Sequence, residues 1–191
     1  ASAAALWINT VFAGFDQSIT TAVHNLYLWA GDFFTPFFEF ISFLGHDGII
    51  LVLLSIALML FKKTRRFGTA MLFGVAIGAI FTNCILKVLI ARPRPYADES
   101  SIFYQFCLLV GQNVESDTSF PSCHTTAAYA TMPAVFLVGD KRVSWTAYIF
   151  AILMGLARIY LVVHFPSDVL AGVIVGIIAG LVSGQLTENF V

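Results

Sequence analysis

The feature that most constrains this chain is a series of long apolar runs. Five stand out: Gly48–Phe61, Phe67–Ala91, Cys123–Gly139, Val143–Val163 and Ser167–Thr187. About 20 helical residues cross the hydrocarbon core of a bilayer, and four of these runs reach or approach that length. Only 11% of the residues are charged, whereas a soluble domain carries about 25%. The sequence therefore predicts an all-α integral membrane bundle of about five to six transmembrane helices.

The first 47 residues differ from the rest. Residues 1–47 hold 11 aromatic side chains but no Lys or Arg, and acidic residues and Pro36 interrupt them. Aromatic-rich amphipathic helices favour the membrane interface, so we expect interfacial helices here, with a shallow helical hairpin as the alternative. No repeat or low-complexity segment appears. The chain therefore reads as a single domain over 1–191, with interfacial helices over 1–47 and a helical bundle over 48–191.

Net charge and cysteine count exclude several classes of protein. A net charge of −1 gives no basis for a nucleic-acid partner. The three cysteines are odd in number and show no C-x-x-C spacing, which argues against a disulfide framework and against a zinc site. The sequence carries no signal for an oligomeric state.

The basic residues predict an orientation in the membrane. Six of the ten Lys and Arg lie in two short connections separated by two spans: Lys62, Lys63, Arg65, Arg66, Lys141 and Arg142. Short loops rich in Lys and Arg stay cytoplasmic. The long loop 92–122, the turn at Pro166 and residues 1–47 are then expected to face outward.

Four charged or histidine side chains fall inside the apolar runs, each on a different span and each near its outer end: Lys87, His124, Arg158 and Asp168. A charge at the membrane centre costs about 3 kcal/mol or more, and such residues usually face partners inside the bundle. Interfacial anchors are the alternative, but anchors would occur at both faces of the membrane. Convergence at one depth favours a functional site.

The flanking loops add further polar groups at the same level. Lys87 and Arg94 are seven residues apart, about two helical turns, so a helix ending near Ala91 is expected to aim both to one side. Ser122 precedes an apolar helix and is a candidate N-cap, and the N–H groups there attract anions. His164 precedes Asp168 by four residues.

These residue types suit phosphoryl transfer. The three cations Lys87, Arg94 and Arg158 can neutralise a phosphate and its transition state. A histidine nitrogen can attack phosphorus when a carboxylate fixes the tautomer through the other nitrogen. A second histidine can protonate the leaving oxygen. The acidic residues of the outer loop lack the spacing of a metal site, so no metal or other cofactor is expected.

Lys87-x6-Arg94-Pro95, Pro121-Ser122-x-His124 and Arg158-x5-His164-x3-Asp168 closely resemble the three signature motifs of the type 2 phosphatidic acid phosphatase family. The resemblance runs from about Asp16 to the C-terminus, and three spaced motifs in order are highly specific.

The resemblance implies roles for individual residues. His164 would be the nucleophile and form a phosphohistidine, Asp168 would orient it, and His124 would protonate the leaving lipid oxygen. The phosphate would be held by Lys87, Arg94, Ser122, Cys123 and Arg158, without a metal. Two positions depart from the family pattern: Cys123 stands where Gly is usual, and Ala157 where Ser is usual.

The resemblance also implies a substrate class and a location. Bacterial members hydrolyse lipid phosphates such as undecaprenyl pyrophosphate, phosphatidylglycerol phosphate or phosphatidic acid. They commonly act at the outer face of the inner membrane. The expected partners are thus the lipid substrate and membrane lipids. Two alternatives remain open at this point: a lipid phosphotransferase on the same scaffold, and a weakly active lipid-binding or transport relative.

Overall fold

The structure is a computed structural model that describes residues 2–111, 115–138 and 141–190. Every regular element in these ranges is helical, as the sequence predicts. The helices are α1 (Ala3–Val11), α2 (Ala13–Ala30), α3 (Thr35–Leu44), α4 (Ile49–Met59), α5 (Arg65–Ala79), α6 (Lys87–Ile90), α7 (Ile102–Leu109), α8 (Cys123–Val138), α9 (Lys141–Tyr160) and α10 (Pro166–Phe190).

Helix α8 is the most central helix of the bundle: it packs on α5, α9 and α10, and α5 and α10 also pack on each other. Glycines allow the close approach. A Cβ at Gly176 would lie 2.6 Å from the Thr126 carbonyl oxygen, and one at Gly180 would lie 2.4 Å from the Ala130 oxygen. From α5, a Cβ at Gly74 would lie 2.8 Å from the same Ala130 oxygen. Small residues at helix contacts let backbones pack closely where lipid removes the hydrophobic drive for association.

The segment after α5 shapes the end of the bundle at which Lys87 and Arg94 lie. Ile80–Leu86 is a π-helical stretch, which is common at functional sites, and α6 follows it directly. The helix stops at Ala91, whose φ of 48° is left-handed, and Arg94 is extended. Prolines on both sides of Arg94 explain the stop, since a residue before proline disfavours the helical conformation. The helix thus ends beside Ala91, where the sequence places its end, and Arg94 lies in the extended segment beyond it.

The three N-terminal helices pack against the bundle. Tyr160 and Thr35 share a hydrogen bond of 2.9 Å between their hydroxyl oxygens, and His24 stacks on Phe106 with ring centroids 3.7 Å apart. Asp16 on α2 is also buried. These helices therefore contribute polar groups to the interior, while their position relative to the membrane interface stays a prediction.

Length and composition identify the candidate membrane spans. In the described part of the chain, Arg65–Ala97 and Pro166–Asn189 are long and apolar enough to cross a bilayer. A third span results if the bent pair Ala13–Leu44 and Ile49–Met59 counts as one, and Ser144–Tyr160 is a shorter apolar helix. This count is lower than the five to six spans expected from the sequence, because several helices of the bundle are shorter than a full crossing.

Candidate active site

A cavity of about 840 Å³ opens at the end of the bundle where the polar residues converge. Four of the site residues predicted from the sequence line it, together with the acidic part of the outer loop: Lys87, Cys123, His124, His164, Glu115 and Asp117. Arg94, Ser122, Arg158 and Asp168 are buried behind this lining. The structure thus brings the three motifs together around one space.

Arg94 contacts the predicted nucleophile directly. Its Nη1 lies 3.0 Å from Nε2 of His164 and donates to the Val163 carbonyl at 2.7 Å. A guanidinium group carries only donors. Nε2 must therefore accept the hydrogen bond from Arg94, which leaves the proton of a neutral ring on Nδ1.

The His164 ring is held neutral. His164 lies in the turn between α9 and α10 and is 2% exposed. Burial lowers the pKa of this histidine well below its usual range, and the positive charges of Arg94 and Arg158 act in the same direction. A neutral ring with an unprotonated Nε2 is the form that can attack an electrophile.

Asp168 lies on the other side of the ring but at a longer distance than expected. His164 Nδ1 and Asp168 Oδ2 are 3.7 Å apart, beyond hydrogen-bond range. Within the described residues, Nδ1 has no hydrogen-bond partner. The Asp168 carboxylate instead accepts from the Ser119 hydroxyl and, at 2.9 Å, from the Phe165 amide.

Ser122 connects the second and third motifs. The Thr125 amide donates to Ser122 Oγ at 3.4 Å, which is the N-cap interaction predicted from the sequence. The Ser122 amide donates to the backbone carbonyl of Asp168 at 3.1 Å. The start of α8, with His124, is thereby fixed against the start of α10.

Arg158 is anchored from α3. Its Nη1 donates to Ser42 Oγ at 2.5 Å and its Nη2 pairs with Glu115. The side chain is 3% exposed, so its charge depends on these partners. Among the described residues, its Nε has no hydrogen-bond partner. One donor of a buried cation is therefore still available at the site.

The sequence analysis missed two acidic residues that contact all three cations. Glu115 pairs with Arg158 and, at 2.5 Å, with Arg94, while Asp117 pairs with Lys87 and Arg94. Burial raises the pKa of Glu115, but Arg158 and Arg94 outweigh it and hold that pKa below its usual range. Burial also raises the pKa of Asp117, yet Lys87 and Arg94 bring it down to about 2. The three cations predicted to bind phosphate are thus paired with carboxylates in this structure.

Arg92 and Asp16 were also missed. The sequence analysis did not assign Arg92 to the site, yet it is 1% exposed and its Nη1 donates to Asp168 Oδ1 at 2.6 Å. Its Nη2 donates to Asp16 Oδ2 at 2.8 Å. A signal was present in the sequence, since Asp16 is an acidic residue in a segment without a single Lys or Arg.

The remaining cavity residues define what the site can hold. His124 lines the cavity, and its ring centroid is 6.3 Å from that of His46. Within the ranges that the structure describes, no three His, Cys, Asp or Glu side chains are grouped as metal ligands. Three cations, a neutral histidine with an unprotonated Nε2 and a second histidine are suited to bind an anion and attack it.

The comparison with known sequences agrees with this geometry. Residues 67–190 match the profile of the PAP2 superfamily. Undecaprenyl-diphosphatase BcrC of Bacillus subtilis is 30% identical over 123 residues, which are 64% of this chain and 60% of that protein. The match thus spans less than two thirds of that relative's length. Phosphatidylglycerophosphatase B of Bacillus subtilis is 32% identical over 182 residues, 89% of this chain and 81% of that protein.

Two solved structures share the fold. The phosphatidylglycerolphosphate phosphatase of PAP2 type from Bacillus subtilis superposes with a TM-score of 0.73 at 26% identity, covering 98% of this chain and 92% of that one. Aquifex aeolicus LpxE superposes with a TM-score of 0.66 at 25% identity, covering 88% and 94%. The profile match covers well over half of the chain and includes all three motifs, so this protein belongs to the PAP2 superfamily.

Proposed function

We propose that this protein hydrolyses a phosphomonoester or pyrophosphate bond of a membrane lipid through a phosphohistidine at His164. The observation that carries the proposal is the 3.0 Å contact between Arg94 Nη1 and His164 Nε2. A donor-only partner at Nε2 identifies that nitrogen as unprotonated. It also puts the nucleophile beside a phosphate-binding cation.

The first chemical step follows from this arrangement. The lipid phosphate displaces the acidic loop and binds to Lys87, Arg94 and Arg158. As Arg94 turns its donor from His164 Nε2 to the phosphate, the released Nε2 lone pair attacks phosphorus, and the bond to the leaving oxygen breaks. His124 gives its proton to that oxygen, so the lipid alcohol or lipid monophosphate leaves neutralised by one proton.

The second step releases phosphate. Neutral His124 accepts a proton from water as the water oxygen attacks phosphorus, and the bond between phosphorus and His164 Nε2 breaks. His164 and His124 return to their starting protonation states, and no metal takes part. Asp168 stabilises the positive charge that the His164 ring carries while it is phosphorylated.

The substrate class rests on the relatives and on the fold. The relatives include an undecaprenyl-diphosphatase and a phosphatidylglycerophosphatase of Bacillus subtilis and a lipid A 4′-phosphatase of Bacteroides thetaiotaomicron. We therefore infer a lipid substrate. We also propose a single membrane domain of five to six spans in the bacterial inner membrane, with residues 1–47 at the interface and the cavity facing outward.

Phosphate release from purified protein in detergent tests the proposal. The substrates are undecaprenyl pyrophosphate, phosphatidylglycerol phosphate, phosphatidic acid and lipid A. His164→Gln keeps side-chain size but removes the nucleophile, and we expect it to abolish release of phosphate. His24→Gln is the matched control, because His24 packs on Phe106 away from the cavity lining. Release at the wild-type rate by the His164 variant would refute the proposal.

A further inference from the structure

Arg92 is more deeply buried than Lys87, Arg94 or Arg158, and each nitrogen of its guanidinium donates a hydrogen bond. Nη1 donates to Asp168 Oδ1 at 2.6 Å and to Ser167 Oγ at 2.7 Å, Nη2 donates to Asp16 at 2.8 Å, and Nε donates to Asn9 at 2.7 Å. The guanidinium carbon also lies 3.9 Å from the ring centroid of Phe165. A side chain held by five neighbours has one defined position.

Asp16 completes this arrangement from α2. Its Oδ1 accepts from the Ser167 amide at 2.8 Å, and its Oδ2 accepts from the Ser167 hydroxyl at 2.8 Å as well as from Arg92. Asp16 is 1% exposed and Asp168 is fully buried. The N-terminal helices and the loop after α6 are thus joined to the first turn of α10, where the third motif ends.

The two carboxylate oxygens of Asp168 have different neighbours. Oδ1 is bound by Arg92, whereas Oδ2 is the oxygen that faces His164 Nδ1 at 3.7 Å. Arg92 holds Oδ1, while Ser119 and the Phe165 amide hold Oδ2, so Arg92 helps to set the rotation of the carboxylate and thereby which oxygen faces the ring. Closure of this gap by about 0.8 Å would form the hydrogen bond that fixes the tautomer and supports a charged ring.

The charges of Asp16, Arg92 and Asp168 also favour a positively charged His164 ring. Two carboxylates, Asp16 and Asp168, face the single guanidinium of Arg92. Without Asp16, the Arg92 cation would largely neutralise Asp168 and reduce its attraction for a positive ring. With Asp16 present, one negative charge remains beside His164 and can stabilise the ring when it becomes cationic.

We propose that Arg92 and Asp16 are positioning residues for Asp168, so that the N-terminal helices form part of the catalytic machinery of His164. Arg92 orients the carboxylate, and Asp16 offsets the charge of Arg92. Neither residue touches the substrate. The inference rests on the proposed role of His164, and it assigns function to residues outside the three motifs.

The first test is a double-mutant cycle between Arg92 and Asp168. Arg92→Lys keeps the charge but loses the planar guanidinium that donates to several neighbours at once. We expect kcat to fall by roughly tenfold or more, with KM changed less than about twofold. In an Asp168→Asn background, the same change should reduce kcat by less than about twofold, because the group that Arg92 positions is already impaired. The exposed Arg65→Lys is the matched control. The inference would be overturned if Arg92→Lys left kcat unchanged in the wild type, or if it lowered kcat by the same factor in the wild type and in Asp168→Asn.

The second test uses the pH dependence of kcat/KM and decides alone if a variant of Arg92 does not fold or the double variant does not turn over. Asp16→Asn removes a negative charge near His164, so the ring loses its proton more easily. We expect the acid limb of the profile to move to lower pH by roughly half a unit or more, and kcat to fall. The other charges facing the ring, Lys87, Arg94, Arg158 and Glu115, are the same in both proteins.

Asp32→Asn is the control, because Asp32 is an exposed acidic residue of the same N-terminal region. An acid limb of Asp16→Asn that coincides with the wild type would overturn the inference. Failure of the proposed function is a separate result: the wild type would release no phosphate, or His164→Gln would release it normally. An active wild type with an inactive His164→Gln and no effect at Arg92 or Asp16 would sink this inference alone.

Discussion

Replacing Glu115 with Gln should tighten the binding of phosphate. Glu115 bridges Arg94 and Arg158, and it is 30% exposed, so its ion pairs are only partly screened by water. A phosphate that enters the cavity must displace this carboxylate before it reaches the two guanidinium groups. The acidic loop therefore acts as an internal competitor for the cations.

The size of the effect follows from what glutamine retains. A hydrogen bond between charged partners contributes about 1.5–3 kcal/mol, and one with a neutral partner about 0.5–1.5 kcal/mol. Glutamine keeps one accepting oxygen and turns an amide N–H₂ toward the other arginine. The competitor is then weaker by about 1.4 kcal/mol, which is about tenfold in an equilibrium constant. Asp117 is 52% exposed, so its replacement by Asn should change affinity by only about two- to threefold.

The assay is inhibition of phosphate release by inorganic phosphate and by vanadate, together with KM for a lipid phosphate, in detergent. Glu115→Gln should lower both inhibition constants and KM about tenfold and leave kcat within about twofold. Glu99→Gln is the matched control, since Glu99 is exposed in the same loop. Unchanged or weaker inhibition by phosphate in the Glu115 variant would refute the competition, and would show that Glu115 instead holds the arginines in place.

Four further predictions follow from the site and the orientation. Cys123 lines the cavity, so Cys123→Gly should raise the rate of phosphate release roughly tenfold, and vanadate should protect the native thiol from alkylation; equal rates with an inert thiol would show that the side chain does not obstruct. Activity should persist in EDTA and be inhibited by vanadate, whereas loss on chelation with recovery in Mg²⁺ would contradict cation-based catalysis. In a protein freed of native cysteines, a cysteine at Ser100 should react with an impermeant reagent outside intact cells and one at Thr64 should not, and the opposite pattern would invert the topology. Finally, burial is outweighed by Lys87 and Arg94, which lower the pKa of Asp117 from 3.8 to about 2, so its ion pairs stabilise the fold at neutral pH and are lost as pH falls from about 4 toward 2. The melting temperature of the wild type should exceed that of Asp117→Asn by less and less across this range, and a constant difference would contradict the pairing.

The spacing of the motifs carried most of the prediction of the site. Ionisable residues are costly in lipid, so four of them at one depth indicated convergence before any contact was known. In the structure Lys87 and His124 line one cavity, and Arg158 and Asp168 are buried. Lys87 and Arg94 were predicted to point to one side, and both pair with Asp117, although Arg94 reaches it from an extended segment beyond the helix.

Partners supplied by distant segments could not be read in the same way. Glu115 and Asp117 lie in an irregular loop, where periodicity gives no direction for a side chain. Arg92 and Asp16 are 76 residues apart, and only the packing of α2 against the start of α10 reveals their contact. A buried acidic residue in a segment without basic residues requires a cation from elsewhere, and that argument could have led from Asp16 to Arg92.

The N-terminal segment shows a second limit of composition. Aromatic content predicts an affinity for the interface, but it does not tell which side chains turn inward. His24 stacks on Phe106 of α7, and Thr35 bonds to Tyr160 of α9. These contacts depend on tertiary packing, because the polar residues involved are too sparse to form a helical pattern of their own.

The most direct test of the central claim is the identity of the phosphorylated residue during turnover. Wild-type protein is mixed with a ³²P-labelled lipid phosphate and quenched in alkali within milliseconds, and its peptides are mapped by mass spectrometry. We expect an acid-labile phosphate on Nε2 of His164, formed faster than free phosphate is released and absent from His164→Gln. Label on His124, or full-rate release of phosphate with no labelled protein, would contradict it.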